Sequence, residues 1–200
     1  MKALEHYLLS TTGKYMVTNI KQVRAADIIV ISDKIEAFAL RGVLEAFGVQ
    51  VRMHYIGNVN HLISLLQGSN YLHKMVVISC HGNKEEILIP ELAPELELDM
   101  LYRKGLTPRD LQEILSLDDQ IVIITGCCLG SQAFAEKFLS KGAKAYIGAK
   151  NYIDGDAFLL FTVTFLYFYL TKSLTIKAAF KKAKCLGENA KMIKLWQRRP

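Results

Sequence analysis

The sequence predicts an α/β domain with a mainly parallel sheet covered by helices. Short β-branched runs recur at 26–32, 49–56, 75–83, 121–130 and 145–149, each long enough for a buried strand and several ending at a glycine. The stretches between most of them carry helical spacing with start and stop residues, which is the pattern of repeated βαβ crossovers. Of 200 residues, 51% are hydrophobic and 22% charged, enough apolar surface for one sizeable core. No repeat, low-complexity tract or linker interrupts the pattern, so residues 1–200 are read as a single domain.

Residues 1–25 have mixed polarity and a Thr12-Gly13 turn signal, and are expected to form a peripheral arm. After the first strand, Ile35, Phe38, Ala39, Val43, Leu44 and Phe47 recur close to a helical period, and Gly48 suits the C-cap. A second helix near 60–67 turns Leu62, Ile63, Leu65 and Leu66 inward and stops at Gly68. Residues 85–92 alternate weakly around Ile87 and Ile89 before Pro90 and Pro94, which predicts a short hairpin off the main sheet. The acidic stretch 91–99 continues it. Residues 107–117 have clear helix-start chemistry, with Thr107 at the N-cap, Pro108 at N1 and Asp110 in the first turn. Residues 131–139 form the next helix, closed by Gly142. Asp156 can cap an apolar helix over 157–170, and 175–186 reads as amphipathic with its lysines outward. Residues 187–200 read as a basic tail.

Several function classes are set aside by these totals. The longest apolar run, 157–170, falls short of the ~20 residues a spanning helix needs, and the amino terminus lacks the apolar stretch of a secretory signal. A soluble, cytoplasmic protein without a membrane partner is expected. The four cysteines, Cys80, Cys127, Cys128 and Cys185, show no CxxC spacing and no disulfide framework, so reduced thiols are expected. The net charge of +6 gathers only at 177–184 and 191–199. Without zinc-finger spacing or an aromatic RNA-binding pattern, that charge reads as a solvated helix face and tail, and no nucleic acid is expected. No GxGxxG or Walker loop follows the first strand, so a nucleotide site is not supported.

Reactive side chains concentrate at two strand ends. The run 75–83 closes on Cys80-His81-Gly82, and 121–130 closes on Thr125-Gly126-Cys127-Cys128. Ligands in open α/β sheets bind beyond the carboxyl ends of the strands, so neighbouring strands would bring His81 and Cys127 or Cys128 to one rim. A thiol beside an imidazole makes a nucleophile and its base. Cys127 also precedes the Gly130-Ser131 entry to a helix, where backbone amides and the helix dipole favour a thiolate. Those same helix-entry amides, with the amide of Gly82, could face an oxygen that becomes negative on thiolate attack. The same four groups, Cys80, Cys127, Cys128 and His81, suit zinc by type, but two adjacent pairs on stiff strands make tetrahedral closure awkward and no metal is expected. Cys185 is read as structural.

The two blocks, 76–82 ending in His81-Gly82 and 121–127 ending in Gly126-Cys127, resemble the signature of the caspase-like (clan CD) cysteine peptidases. Among these the bacterial CHAT domains look closest, through Cys80-His81-Gly82 and the following Gly142-Ala143 strand. The resemblance covers residues 27–183. It implies a caspase-like fold, a peptide-cleaving activity without a cofactor, His81 and Cys127 as the dyad, and the Gly82 and Cys127 amides as the oxyanion hole. It leaves Cys128 at a variable place, and Gly126 stands where Ala is commoner. The segment after the 145–149 strand helps form the substrate pocket in such peptidases, which makes Asp154 and Asp156 pocket candidates for a basic side chain. Helix capping explains Asp156 equally well. Two functional readings follow. One is a cysteine endopeptidase acting on a protein or peptide, with a regulatory protein partner. The other is a caspase-fold interaction module without turnover.

Overall fold

The structure is a computed structural model that describes residues 24–32, 34–68, 72–90 and 105–198. Residues 1–23 of the expected arm and the acidic stretch 91–99 lie outside these residues. The main sheet has six strands: β1 (Ala25–Val30), β2 (Gln50–Tyr55), β3 (Met75–Ser79), β6 (Ile121–Ile124), β7 (Ala145–Ala149) and β8 (Ile193–Gln197). Their order is β2-β1-β3-β6-β7-β8, parallel except for β8, which runs antiparallel to β7. The remaining strands, β4 (Ile87–Leu88) and β5 (Gly105–Leu106), pair with each other off the main sheet.

Helices cover both faces. On one side α2 (Val59–Leu66), α3 (Pro108–Ile114) and α4 (Gln132–Ser140) pack Leu62, Leu111 and Phe134 against Val76, Ile78, Val122 and Ile124. On the other, α1 (Lys34–Ala46), α5 (Gly155–Leu166) and α6 (Ile176–Ala183) pack Leu40, Phe161 and Ala179 against Val77, Ile121, Ile123 and Ile147. Every residue of β3 and β6 is buried, so the continuous apolar runs of the sequence are the two central strands, sandwiched between layers. Phe158, Phe161 and Phe165 of α5 are fully buried, each worth roughly 1.5–3 kcal/mol by removal from water.

Local chemistry sets the element ends. Asn58 caps α2 by accepting from the His61 amide at 2.9 Å. Thr107 and Asp110 form a reciprocal capping box on α3 behind Pro108. Gly142 adopts φ +106 after α4, and a side chain there would meet the Leu117 carbonyl at 2.0 Å.

Four expectations are corrected. The inward face of α1 is Ala37, Leu40 and Leu44, whereas Ile35 and Phe38 are exposed. Helix α5 starts at Gly155 with Asp154 at its N-cap, and beyond Leu166 it widens into a π-turn over Tyr167–Thr171. Cys185 sits exposed in a 3-10 turn after α6 rather than packed in a core. The stretch read as a basic tail contains β8, whose backbone pairs with β7 from Ala145↔Gln197 to Ala149↔Ile193. Among the described residues no helix is long and apolar enough to cross a membrane.

Among the described residues one carboxylate is fully buried. Asp27 of β1 accepts from Arg52 Nε at 2.6 Å and from the His73 amide at 2.5 Å, and lies 2.7 Å from His54 Nε2. Burial by itself raises its pKa, but the hydrogen bonds from His54, Arg52 and His73 and the Arg52 charge outweigh that and hold it well below the usual carboxylate range.

Candidate active site

The register of β3 on β6, with Ile78 opposite Ile124, makes the two strands end side by side. Their loops therefore leave together, carrying Cys80-His81-Gly82 and Thr125-Gly126-Cys127-Cys128. His81 and Cys127 line one cavity of about 550 Å³ between the amino-terminal ends of α1 and α5. It lies beyond the carboxyl ends of the central strands, where an open α/β sheet is expected to bind its ligand.

Each loop is tied down by backbone bonds. The His81 amide donates to Ser32 Oγ at 3.1 Å, and its carbonyl accepts from Leu88 at 3.0 Å. The Asn83 amide donates to the Glu86 carbonyl at 3.1 Å, so these bonds flank the Gly82↔Ile87 bridge and turn the Gly82 amide away from Ile87. Gly82 has no room for a side chain, since a Cβ there would meet Leu129 Cγ at 2.5 Å.

The three cysteines of this region differ in surroundings. Cys127 is half-buried, and its thiol donates to the Ile153 carbonyl at 3.7 Å. Cys128 has a left-handed backbone, φ +64, and an amide that donates to Asn151 at 3.2 Å. Its side chain is buried, and burial pushes its thiol up, with Cys127 adding to the effect. Burial also raises the Cys80 thiol, reinforced by the Glu36 carboxylate and opposed by the Gly126 amide. Of the helix-entry amides that sequence reasoning assigned to a thiolate, the one at Gly130 is already bonded to the Ala149 carbonyl at 2.7 Å. Among the described residues no group of three or more His, Cys, Asp or Glu is arranged to hold a metal ion.

Of the two pocket candidates only Asp156 borders the cleft that holds His81 and Cys127. Asp156 borders the cleft and is exposed, its Oδ1 accepting from the Ala157 amide at 2.7 Å. Asp156 also lines a second cavity of about 390 Å³, which it shares with Asp154, and Asp154 accepts from Asn189 Nδ2 at 2.6 Å. A third carboxylate, which sequence reasoning missed, lies inside the cleft. Glu36 in the first turn of α1 accepts from Thr125 Oγ1 at 2.9 Å and Ser79 Oγ at 3.0 Å, both on Oε2. The available signal was its place just after β1, at the rim shared by His81 and Cys127.

No protein-family model matches the chain, and no curated protein matches it in sequence. Solved structures do match in shape. A crystal structure of the Saccharomyces cerevisiae separase–securin complex aligns with a TM-score of 0.55 at 9% identity, over 88% of this chain and 12% of that one. A second crystal structure of that complex gives 0.54 at 10% identity, over 98% and 13%. The Arg-specific cysteine proteinase gingipain R gives 0.54 at 11% identity, over 84% of this chain and 43% of that one. The chain thus spans less than half the length of each of these relatives. With its six-stranded, mostly parallel sheet and helices on both faces, it has the caspase-like α/β fold.

Proposed function

We propose that the chain is a caspase-like cysteine endopeptidase, related to the CHAT domains, in which His81 and Cys127 form the dyad. The observation that carries this reading is their shared cleft at the ends of two adjacent central strands. His81 takes the proton of the Cys127 thiol, and the thiolate attacks the carbonyl carbon of the scissile peptide bond. The oxygen that becomes negative is received by the amides of Gly82 and Cys127. His81 then protonates the leaving amine as the C–N bond breaks, leaving a thioester on Cys127. Water, deprotonated by His81, attacks the thioester, and the acid leaves as the thiol is restored. No cofactor enters these steps. The substrate is a protein or peptide, and Asp156 at the rim, with Asp154 beyond it, favours a basic side chain. Separase in the matched structures is held in complex with securin, and by analogy this chain takes a regulatory protein partner.

One observation favours a second reading, an interaction module without turnover. The hydrogen bond of the Cys127 thiol goes to the Ile153 carbonyl at 3.7 Å and not to an imidazole. Active-site labelling divides the two. A peptidyl acyloxymethyl ketone should alkylate Cys127 at neutral pH and require His81, whereas a module without turnover would react no faster than a free thiol. Cys185 is exposed and should be replaced by Ser before the comparison.

A further inference from the structure

We infer that Asn83 is a positioning residue: its side chain closes the turn over 83–86 and so aims the Gly82 amide at the oxygen that becomes negative during peptide cleavage. The inference deepens the peptidase reading and rests on it.

Gly82 is buried, yet among the described residues no acceptor is bonded to its N–H. Buried backbone donors are almost always paired, so an unpaired one beside a cleft calls for a reason. Its surroundings supply one. A methyl group on Gly126 would lie 3.1 Å from the His81 carbonyl carbon, the atom bonded to the Gly82 nitrogen. The free donor therefore stands beside the residue that precedes Cys127, at the rim where His81 and Cys127 meet.

A glycine has no side chain with which to anchor its own amide, so the direction of this N–H is set from outside. The His81 carbonyl and the Gly82 N–H belong to one planar peptide and point opposite ways. Leu88 donates its amide to that carbonyl at 3.0 Å, and this bond fixes the plane. Leu88 stays opposite His81 because the chain reverses over 83–86. Asn83 makes the reversal: its Oδ1 accepts from the Glu85 amide at 2.7 Å and the Glu86 amide at 2.9 Å, and its own amide donates to the Glu86 carbonyl at 3.1 Å. An Asn side chain takes the place of a backbone carbonyl in such turns. Lys84 and Glu85 are exposed, so the turn draws its shape from these bonds and from buried Ile87.

The test compares wild type with Asn83→Ala, Asn83→Gln and Asn83→Asp, all in a Cys185→Ser background. A peptidyl aldehyde reports on the Gly82 amide, because the Cys127 thiol adds across its C=O bond and leaves the former carbonyl oxygen facing that donor. Iodoacetamide reports on Cys127 alone, since the thiolate displaces iodide and no oxyanion forms. Asn83→Ala should weaken aldehyde binding and lower kcat by about 10- to 100-fold, part of the cost of losing an oxyanion donor outright, with KM and the iodoacetamide rate within about twofold of wild type. Asn83→Asp keeps an acceptor oxygen at the same reach and should restore both to within about threefold. Asn83→Gln, one methylene longer, should match Asn83→Ala, and it carries the comparison if the alanine variant does not fold. Unchanged aldehyde binding in the folded variants overturns the inference. So does an equal fall in aldehyde binding and iodoacetamide alkylation, which marks general damage to the site. Amide exchange at Leu88 reads the turn without turnover: it should quicken by about tenfold or more in Asn83→Ala and not in Asn83→Asp. Unchanged exchange overturns the hold of Asn83 on the turn. Faster exchange in a protein whose wild type binds no aldehyde and cleaves no peptide overturns the peptidase reading and the catalytic part of the inference, and leaves Asn83 holding a turn.

Discussion

Leu129 lies so close to Gly126 that a methyl group on the glycine would sit 2.5 Å from Leu129 Cδ1. The same methyl would stand 3.1 Å from Cys80 Sγ and from the His81 carbonyl carbon, so the departure from the commoner Ala at this position has a packing cause. Gly126→Ala should therefore destabilise the fold by about 1–3 kcal/mol through overpacking. Thermal melting should show a loss of a few degrees, and Gly126→Ala combined with Leu129→Ala should lose less than the sum of the two single losses. Additive losses in the double variant would remove Leu129 as the cause.

The two adjacent cysteines should behave differently. In a Cys185→Ser background, Cys127→Ala should lose alkylation by a peptidyl ketone and all peptide cleavage, while Cys128→Ala keeps a substantial part of both. His81→Ala should lose turnover with its circular dichroism intact, since this exposed residue carries little core area. Mass spectrometry of the alkylated protein identifies the modified thiol, and label on Cys128 would reverse the assignment.

Acid stability should depend on Asp27. A carboxyl whose folded pKa is depressed contributes stability above its unfolded pKa, about 3.9, and loses it as pH falls towards the folded value. Asp27→Asn leaves Arg52 and both histidine contacts without their anion, and should cost about 3–5 kcal/mol at pH 7. The loss should shrink below pH 4, because the carboxyl of the unfolded wild-type chain then takes up a proton while the folded one stays ionised. Urea midpoints at pH 7, 4 and 2.5 check this, and a gap between the two proteins that stays constant with pH would contradict it.

Asp156 and Asp154 are separable by substitution. Asp156→Asn removes a charge at the cleft mouth and should raise KM for basic peptides about two- to fivefold, in keeping with a screened, exposed group. Asp154→Ala breaks the bond to Asn189 and should show first as a drop in melting temperature of a degree or two. A larger effect of Asp154 than of Asp156 on KM would exchange their roles.

The sheet was legible because β3 and β6 are buried on both faces and write themselves as unbroken apolar runs. Edge strand β8 was not, since Lys194 and Gln197 leave only Ile193, Leu195 and Trp196 as a signal beside a basic end. In α1 the helix was legible but its face was not, because Ile35 and Phe38 satisfy the same periodicity as Ala37, Leu40 and Leu44. His81 and Cys127 stood out through the pairing of two strand ends. Glu36 did not, because its partners Ser79 and Thr125 are 43 and 89 residues away and meet it only once the strands are ordered.

The ladder between β3 and β6 has a further consequence for how the protein fails. The strand ends from which the His81 and Cys127 loops leave are held side by side by hydrogen bonds between neighbouring central strands, with β1 and β7 paired on the outside. Parting them requires opening the middle of the sheet, which breaks both helix layers at once. Partial inactivation by a loosened site is then not available to this molecule. Loss of activity in denaturant should track amide exchange at Val77 and Ile123, with a single free energy for both.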